Sequence, residues 1–479
     1  MHAQRERTHQ LYLLCLFLLL AASVLVHVIT LHMPLYASDA WRQTDEESIV
    51  WHFTYVLTNP LKPQIFYDGT HDLFVQLELQ VIPWLTSILM RIFGWHTMLL
   101  HVIPDVFFSL NVYLIYRIGV KLFTPAYGLF GALLYLLVPY DIYYGQALMP
   151  EIFMMTMLLV TVLTVNAYLE NQTWGRASVA ALSLLLLALS KLPAVTILPG
   201  LLAFAMVKSG WRSLISPKVI LSVVFAGVFT ELYLHYEGSI AASKFVSGDT
   251  SAYLLRHMAS NLHLHVYHQA FQFITTRLLF RPISALAIVG LFFPRLNSKL
   301  YALLIGWGFG AFIFEAWVAT HNALQYYYLV IALPGVLMGA YGGYALYHYF
   351  HRWSLIALVP VTALAVSAAW QHTPVLYTPY QKNIYELGLR FRSLPANDRI
   401  LWIGTTPIIF DYSRHYGWRD FNTKETLAEK EAWIQEKIRE KAAVLVVEHQ
   451  TAPDNQPLMA YLQKNFRHQV VDGYTVFWL

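Results

Sequence analysis

Charge is what this chain has least of. Only 13% of its 479 residues are Asp, Glu, Lys or Arg, and 57% are hydrophobic. A soluble protein of this length carries about a quarter charged residues, so a soluble globular enzyme is excluded. Cysteine is nearly absent too: Cys15 stands alone, inside the first apolar run, which rules out an intrachain disulfide and a thiolate metal cluster. A net charge of +4 is too mild to indicate nucleic acid as a partner. Long internal repeats and low-complexity tracts are also missing, and the C-terminal part has no glycine-rich phosphate loop.

What is present is apolar sequence in runs of about 20 residues, the length that spans a bilayer. The first, Leu11 to Leu31, follows Arg5 and Arg7. It is longer than the apolar core of a signal peptide and has no A-x-A site after it, so it reads as a retained helix with its basic end in the cytoplasm. Further runs follow at Leu99–Val120, Tyr127–Tyr144, Ile152–Leu169, Ala177–Ser190, Pro193–Val207, Val219–His235, Leu278–Phe293, Leu300–Val318, Tyr326–Tyr347 and Leu355–Trp370. Together these predict about eleven spans. Leu73–Gly94 contains Glu78, Gln80 and Pro83, and its clean apolar part is about 13 residues, or roughly 20 Å of helix against a hydrocarbon core of ~30 Å. It is predicted to be juxtamembrane or re-entrant. With that assignment Arg117, Lys121, Lys208, Arg212, Lys218, Arg295, Lys299 and Arg352 all fall on the inner side, as the positive-inside rule prefers.

After Trp370 the sequence turns polar. Helices are predicted at Tyr380–Leu394, Lys424–Lys441 and Pro457–Phe466, and strands at Arg399–Ile403, Ala443–Glu448 and Gln469–Trp478. The predicted architecture is an α-helical polytopic membrane unit over residues 1–371 with a small α/β domain, 372–479, on the outer face.

The chemistry concentrates after the first span. Ser38 to Trp51 reads S-D-A-W-R-Q-T-D-E-E-S-I-V-W and crowds Asp39, Arg42, Asp45, Glu46 and Glu47 together. The topology puts Glu78 and Glu151 at the same face. Charges at the lipid boundary are costly unless they face a protein-lined cavity. A transferase acting on a hydroxyl needs a carboxylate to take the proton. A lipid phosphate leaving group needs no acid, only a cation, either Arg or a metal. Plainer readings also exist. Asp45 suits an N-cap for a helix Glu46–Leu57, Asp39 suits a partner for Arg42, and Glu78 suits a partner for Arg91 or Arg42. Glu151 after Pro150 suits a helix start, and Lys191 suits a snorkelling residue. The cluster His263, His265, His268 matches no metal spacing and reads as structural.

The A-W-R-Q-T-D loop at Ala40–Asp45, with Ser48, Ile49 and the helix to Leu57, resembles the first-loop motif of the bacterial GT-C glycosyltransferases. That family includes the protein O-mannosyltransferases and the lipid A aminoarabinose transferase. Val75–Gly94, with Glu78, resembles the family's next segment, although Leu79-Gln80 stands where a proline often follows the glutamate. Tyr143-Tyr144 through Met149-Pro150-Glu151 resembles its second loop. Ser190-Lys191-Leu192-Pro193 resembles its T-K-x-x turn, and His321 with Tyr326-Tyr327-Tyr328 a late loop. The resemblance implies an inverting transfer of a hexosyl or pentosyl group from a polyprenyl-phosphate sugar to a glycan, lipid or protein acceptor. It implies Asp45 as base, Glu46, Glu78 and Glu151 as further acids, and Arg42, Lys191 and His321 at the donor phosphate. It also implies an inner-membrane location with the site on the periplasmic side. A divalent metal stays open, since members differ. The residues themselves leave two other classes standing, a secondary transporter of a lipid-linked or small sugar-like substrate and a non-catalytic membrane scaffold.

Overall fold

The computed structural model describes residues 2–244, 260–318, 324–420, 426–449 and 456–479. Among these residues, seven helical stretches are long and apolar enough to cross a membrane, or up to nine if each of two bent pairs counts as one span. They include α1 (His2–Leu25), α4 (Leu99–Leu122), Glu151–Glu170, Leu192–Ser209, Pro217–Ile240 and Ser298–Trp317. The last stretch, Gln325–Leu376, contains two helices, Leu329–Phe350 and Leu355–Leu376, joined at His351–Ser354. Trp174–Ser190 is helical but only 17 residues long. The chain is thus a multi-pass helical membrane protein; each predicted run overlaps a helix or part of a bent pair, but the described residues give seven to nine spans where about eleven are predicted.

The bends depart from the prediction. Tyr127–Tyr144 is not one helix: Pro125–Tyr135 and Pro139–Gln146 meet at 76°. A proline forces the residue before it out of helical geometry, and Val138 is extended with ψ of 113°. Near Leu278 a π-helical turn, Ile274–Leu278, precedes a 117° bend into Phe280–Leu291. Elsewhere small residues let backbones approach. A Cβ on Gly306 would lie 2.7 Å from the Gly200 Cα, so Leu192–Ser209 and Ser298–Trp317 pack backbone to backbone there.

Between the first two long helices the chain forms α2 (Ala40–Tyr55), β1 (Val75–Gln76) and α3 (Val81–Phe93). The 13 residues of α3 are too few to span, as the composition of Leu73–Gly94 predicts. β1 pairs in parallel with β2 (Ser243–Lys244).

The C-terminal sheet holds β3 (Arg399–Ile403), β4 (Gly417–Asp420), β5 (Ala442–Glu448), β6 (Arg467–Val471) and β7 (Tyr474–Trp478), in the order β4-β3-β5-β7-β6. β3, β4 and β5 are parallel, and β7 and β6 return antiparallel. The predicted final strand is therefore a hairpin, because Asp472-Gly473, both at positive φ, turn the chain in its middle. β4 and the short helix Ile408–Ser413 were not predicted at all.

Strand alternation explains how the sheet is mounted. Leu401, Ile403, Leu445, Val447 and Phe477 pack with the helices Leu427–Arg439 and Gln456–Asn465. Ile400, Trp402, Val444, Val446 and Val476 face the other way, into one core with Ile49 and Phe53 of α2 and with Ile65, Phe66 and Tyr67. The loop after α2 also extends the sheet edge, with Gly69 N donating to Gly417 O at 3.0 Å and Gly417 N to Phe66 O at 3.2 Å. No side chain fits at that position, because a Cβ on Gly417 would lie 1.9 Å from Ile400 O.

Candidate active site

The site is centred on α2. The helix begins at Ala40, well before the Glu46 start that the N-cap reading of Asp45 requires. Nothing between Ala40 and Glu46 breaks a helix, and Gln43 N closes the first turn on Asp39 O at 3.1 Å. Asp45 therefore lies inside the helix and caps nothing. Asp39 occupies the cap position in the left-handed region, φ 52°, and its side chain makes no cap bond. Tyr144 donates to Asp39 Oδ2 instead. Tyr143 holds the preceding turn, donating to Ser38 O at 2.6 Å and accepting from Gln43 Nε2 at 2.9 Å. The expected Asp39–Arg42 pair does not form.

Helical spacing then sorts the loop's charges onto different sides. Arg42 and Glu46 are one turn apart and pair at 2.8 Å. The same Arg42 Nη2 reaches Glu78 Oε2 at 2.8 Å. Glu78 Oε1 lies 3.9 Å from Lys191 Nζ, and Lys191 pairs closely with Glu151. Arg91, the other partner considered for Glu78, instead donates to Phe53 O and Thr54 O. The result is a buried chain of three carboxylates and two cations drawn from four separate segments. Lys191 Nζ also sits 4.3 Å from the Tyr326 ring centroid and 5.4 Å from that of Tyr327, a cation–π arrangement. His321 lies outside the described residues.

Burial and charge divide these groups. Burial, helped by Glu78, Glu151 and Asp45 and opposed by Arg42, pushes Glu46 up to about 8. Burial also pushes Glu78 up, but Arg42 and Lys191 bring it net below its ordinary value. Burial raises Asp39. Glu47 turns to a third side, toward Arg414 and Arg392, and burial raises it as well.

Asp45 points away from this cluster, toward the C-terminal sheet. Tyr67 donates to Asp45 Oδ1 at 2.6 Å. Burial pushes Asp45 up to about 7, held there against the Tyr67 hydrogen bond and the Arg42 and Arg419 charges. Arg419 of β4 makes a bidentate pair with Asp68, at 2.8 and 2.9 Å, and its guanidinium stands 4.5 Å from the Tyr67 ring centroid. Asp411 is buried on the helix Ile408–Ser413, and burial with the Asp45 and Glu47 charges raises it well above the carboxylate range. Tyr67, Asp68, Asp411 and Arg419 were not singled out from sequence. Arg419 and Asp68 are 351 residues apart and carry no shared spacing.

Among the described residues no three His, Cys, Asp or Glu side chains are arranged to hold a metal ion. The cations standing among Glu46, Glu78 and Glu151 are Arg42 and Lys191.

Comparison with known proteins agrees with this architecture. The profile of the family described as dolichyl-phosphate-mannose-protein mannosyltransferase matches residues 80–233. No curated protein matches the sequence. Among solved structures, ArnT from Cupriavidus metallidurans bound to undecaprenyl phosphate superposes with a TM-score of 0.66, covering 96% of this chain and 97% of its own at 12% identity. The oligosaccharyltransferase AglB from Archaeoglobus fulgidus, in complex with an inhibitory peptide and a dolichol-phosphate, gives a TM-score of 0.60 over 95% of this chain and 71% of its own, also at 12% identity. The arabinofuranosyltransferase AftD from Mycobacteria gives 0.52 over 91% and 36% at 12% identity. At 12% identity over nearly the whole chain, these superpositions show that this chain has the fold of ArnT and AglB.

Proposed function

We propose that the chain is an inverting glycosyltransferase that moves a sugar from a polyprenyl-phosphate donor to an acceptor hydroxyl, with Asp45 as general base. One observation carries the reading: α2 presents a near-neutral carboxylate, Asp45, one turn from Arg42, which joins a second buried cation, Lys191. A general base works best with a pKa near the operating pH. The acceptor oxygen attacks the anomeric carbon and its proton passes to Asp45. The bond from that carbon to the phosphate oxygen breaks, and the polyprenyl phosphate leaves as an anion toward Arg42 and Lys191. Glu46, Glu78 and Glu151 hold these two cations in place. The lipid phosphates named in the ArnT and AglB structures support such a donor. The basic residues at the inner turns support an inner-membrane enzyme whose site and C-terminal sheet face the periplasm.

Asp39 is a second candidate for the base. It is less buried than Asp45, and its neighbours include Glu151 and Lys191.

The test is incubation of purified protein in nanodiscs with radiolabelled polyprenyl-phosphate sugars and candidate acceptors, with and without a chelator. The reading expects one donor to be consumed and its label to appear in an acceptor. A protein that neither binds nor consumes any donor, yet moves sugar-like solute across vesicles, is a transporter instead.

A further inference from the structure

The C-terminal sheet reaches into the site at one point, the strand β4. Arg419 leaves this strand toward the first loop and grips Asp68 with two parallel hydrogen bonds, 2.8 and 2.9 Å. Such fork-to-fork pairs fix orientation as well as charge. Gripped this way, the guanidinium stands 4.5 Å from the centre of the Tyr67 ring and 5.9 Å from that of Trp41. Trp41 Nε1 lies 3.3 Å from the Tyr67 hydroxyl, and that hydroxyl donates to Asp45 at 2.6 Å. The backbone is registered too, since Tyr67 and Gly69 both bridge to Gly417, two residues before Arg419. A continuous chain of contacts therefore runs from the sheet to one carboxylate oxygen.

From this geometry we infer that Arg419 is a positioning residue for Asp45: it locks the Tyr67 ring so that its hydroxyl holds the carboxylate in its ionised, attack-ready orientation. The inference rests on Asp45 being the base. It gives the C-terminal sheet a part in catalysis, as the support of the base.

The sign of the effect follows from the groups around Asp45. Arg42 and Glu46 lie on its own helix, Tyr67 and Asp68 on the following loop, Arg419 on β4 and Asp411 on the helix Ile408–Ser413. Tyr67 and Arg419 favour the ionised carboxylate, while burial and Asp68 oppose it. The Tyr67 hydroxyl is pushed well above its usual range by burial, so it stays protonated and donates. Removing Arg419 should therefore raise the pH at which Asp45 ionises.

The experiment follows the Asp45 carboxyl directly, by its C=O infrared absorption across pH, as the difference between each protein and the same protein carrying Asp45→Asn. It is paired with the pH profile of kcat/KM. The variants are Arg419→Gln, Arg419→Lys and Tyr67→Phe. The double variant Asp68→Asn/Arg419→Gln avoids leaving Asp68 without its partner. The expected result is an upward move of the infrared midpoint by about one pH unit, tenfold in proton affinity, in Arg419→Gln and Tyr67→Phe. Arg419→Lys should recover part of it, and the acid limb of kcat/KM should move in parallel. A midpoint unchanged in Arg419→Gln, with the protein folded, overturns the inference whether or not Tyr67→Phe moves it. A midpoint that moves while Asp45→Asn keeps full transfer activity leaves the support intact and removes Asp45 as base.

Discussion

The buried ion chain makes a sharp stability prediction at Lys191. Replacing Lys191 with Met keeps the length of the aliphatic stem and deletes one charge. Glu151 is fully buried, and its Oε2 already lacks a hydrogen-bond partner, so the variant leaves a buried carboxylate without its direct ion-pair partner. Glu78 suffers less, since Arg42 still holds it at 2.8 Å. Breaking a buried pair from one side costs about 3–5 kcal/mol. Deleting both charges, in Lys191→Met/Glu151→Gln, leaves only a buried amide whose unmade hydrogen bonds cost about 1–3 kcal/mol. The double variant should then be more stable than the single one. A control is the solvent-exposed pair Lys382–Glu386, at 3.8 Å, where Lys382→Met should cost less than about 1 kcal/mol. Thermal and urea unfolding in one detergent, followed by tryptophan fluorescence, ranks the four proteins. If the double variant is no more stable than Lys191→Met, the stranded Glu151 charge is not the cause and the reasoning fails.

Other consequences follow from the same groups. With Asp45 pushed up to about 7, kcat/KM should climb as pH rises through that value, and a profile flat from pH 5 to 8 would argue against this base. Glu46 has a folded-state value of about 8, above the ordinary 4.5. Its contribution to stability is full below about 4.5 and is lost as pH rises toward 8. Glu46→Gln should therefore flatten the loss of stability over that range, which pH-dependent melting measures. Gly417→Ala places a methyl against Ile400 O, so it should cost about 1–3 kcal/mol or more and detach the first loop from β4. Limited proteolysis within residues 56–74 would report the detachment.

Much of this was legible in sequence, and what was not has physical reasons. Runs of apolar residues locate the helices because a bilayer imposes length and composition together. They do not show where a helix bends. Pro139 lies within an otherwise apolar run, and only the extended geometry it forces on Val138 breaks the helix. The continuous apolar runs of Arg399–Ile403 and Ala443–Glu448 were readable as buried strands. The D-G turn at Asp472-Gly473 was equally visible, yet the strand-like residues on both sides of it hid a hairpin. In the site, local motifs identified the acids and cations of the Arg42–Glu46–Glu78–Lys191–Glu151 chain, because each sits in a recognisable stretch. Their mutual pairing was not readable, since it joins segments through the bundle. The supports of Asp45 were hidden for the same reason. Tyr67 and Asp68 look like ordinary loop residues, and Arg419 like an ordinary strand residue, until the sheet docks on α2.

The most direct test is single-turnover sugar transfer by wild type, Asp45→Asn and Asp39→Asn, with donor binding measured on the same preparations. Asparagine keeps the shape of the side chain but cannot take the proton. The account predicts that Asp45→Asn binds donor normally and loses about 10²- to 10⁴-fold in rate, while Asp39→Asn retains most of its activity. Wild-type turnover in Asp45→Asn, with transfer abolished in Asp39→Asn, would contradict it and move the base to the start of the helix.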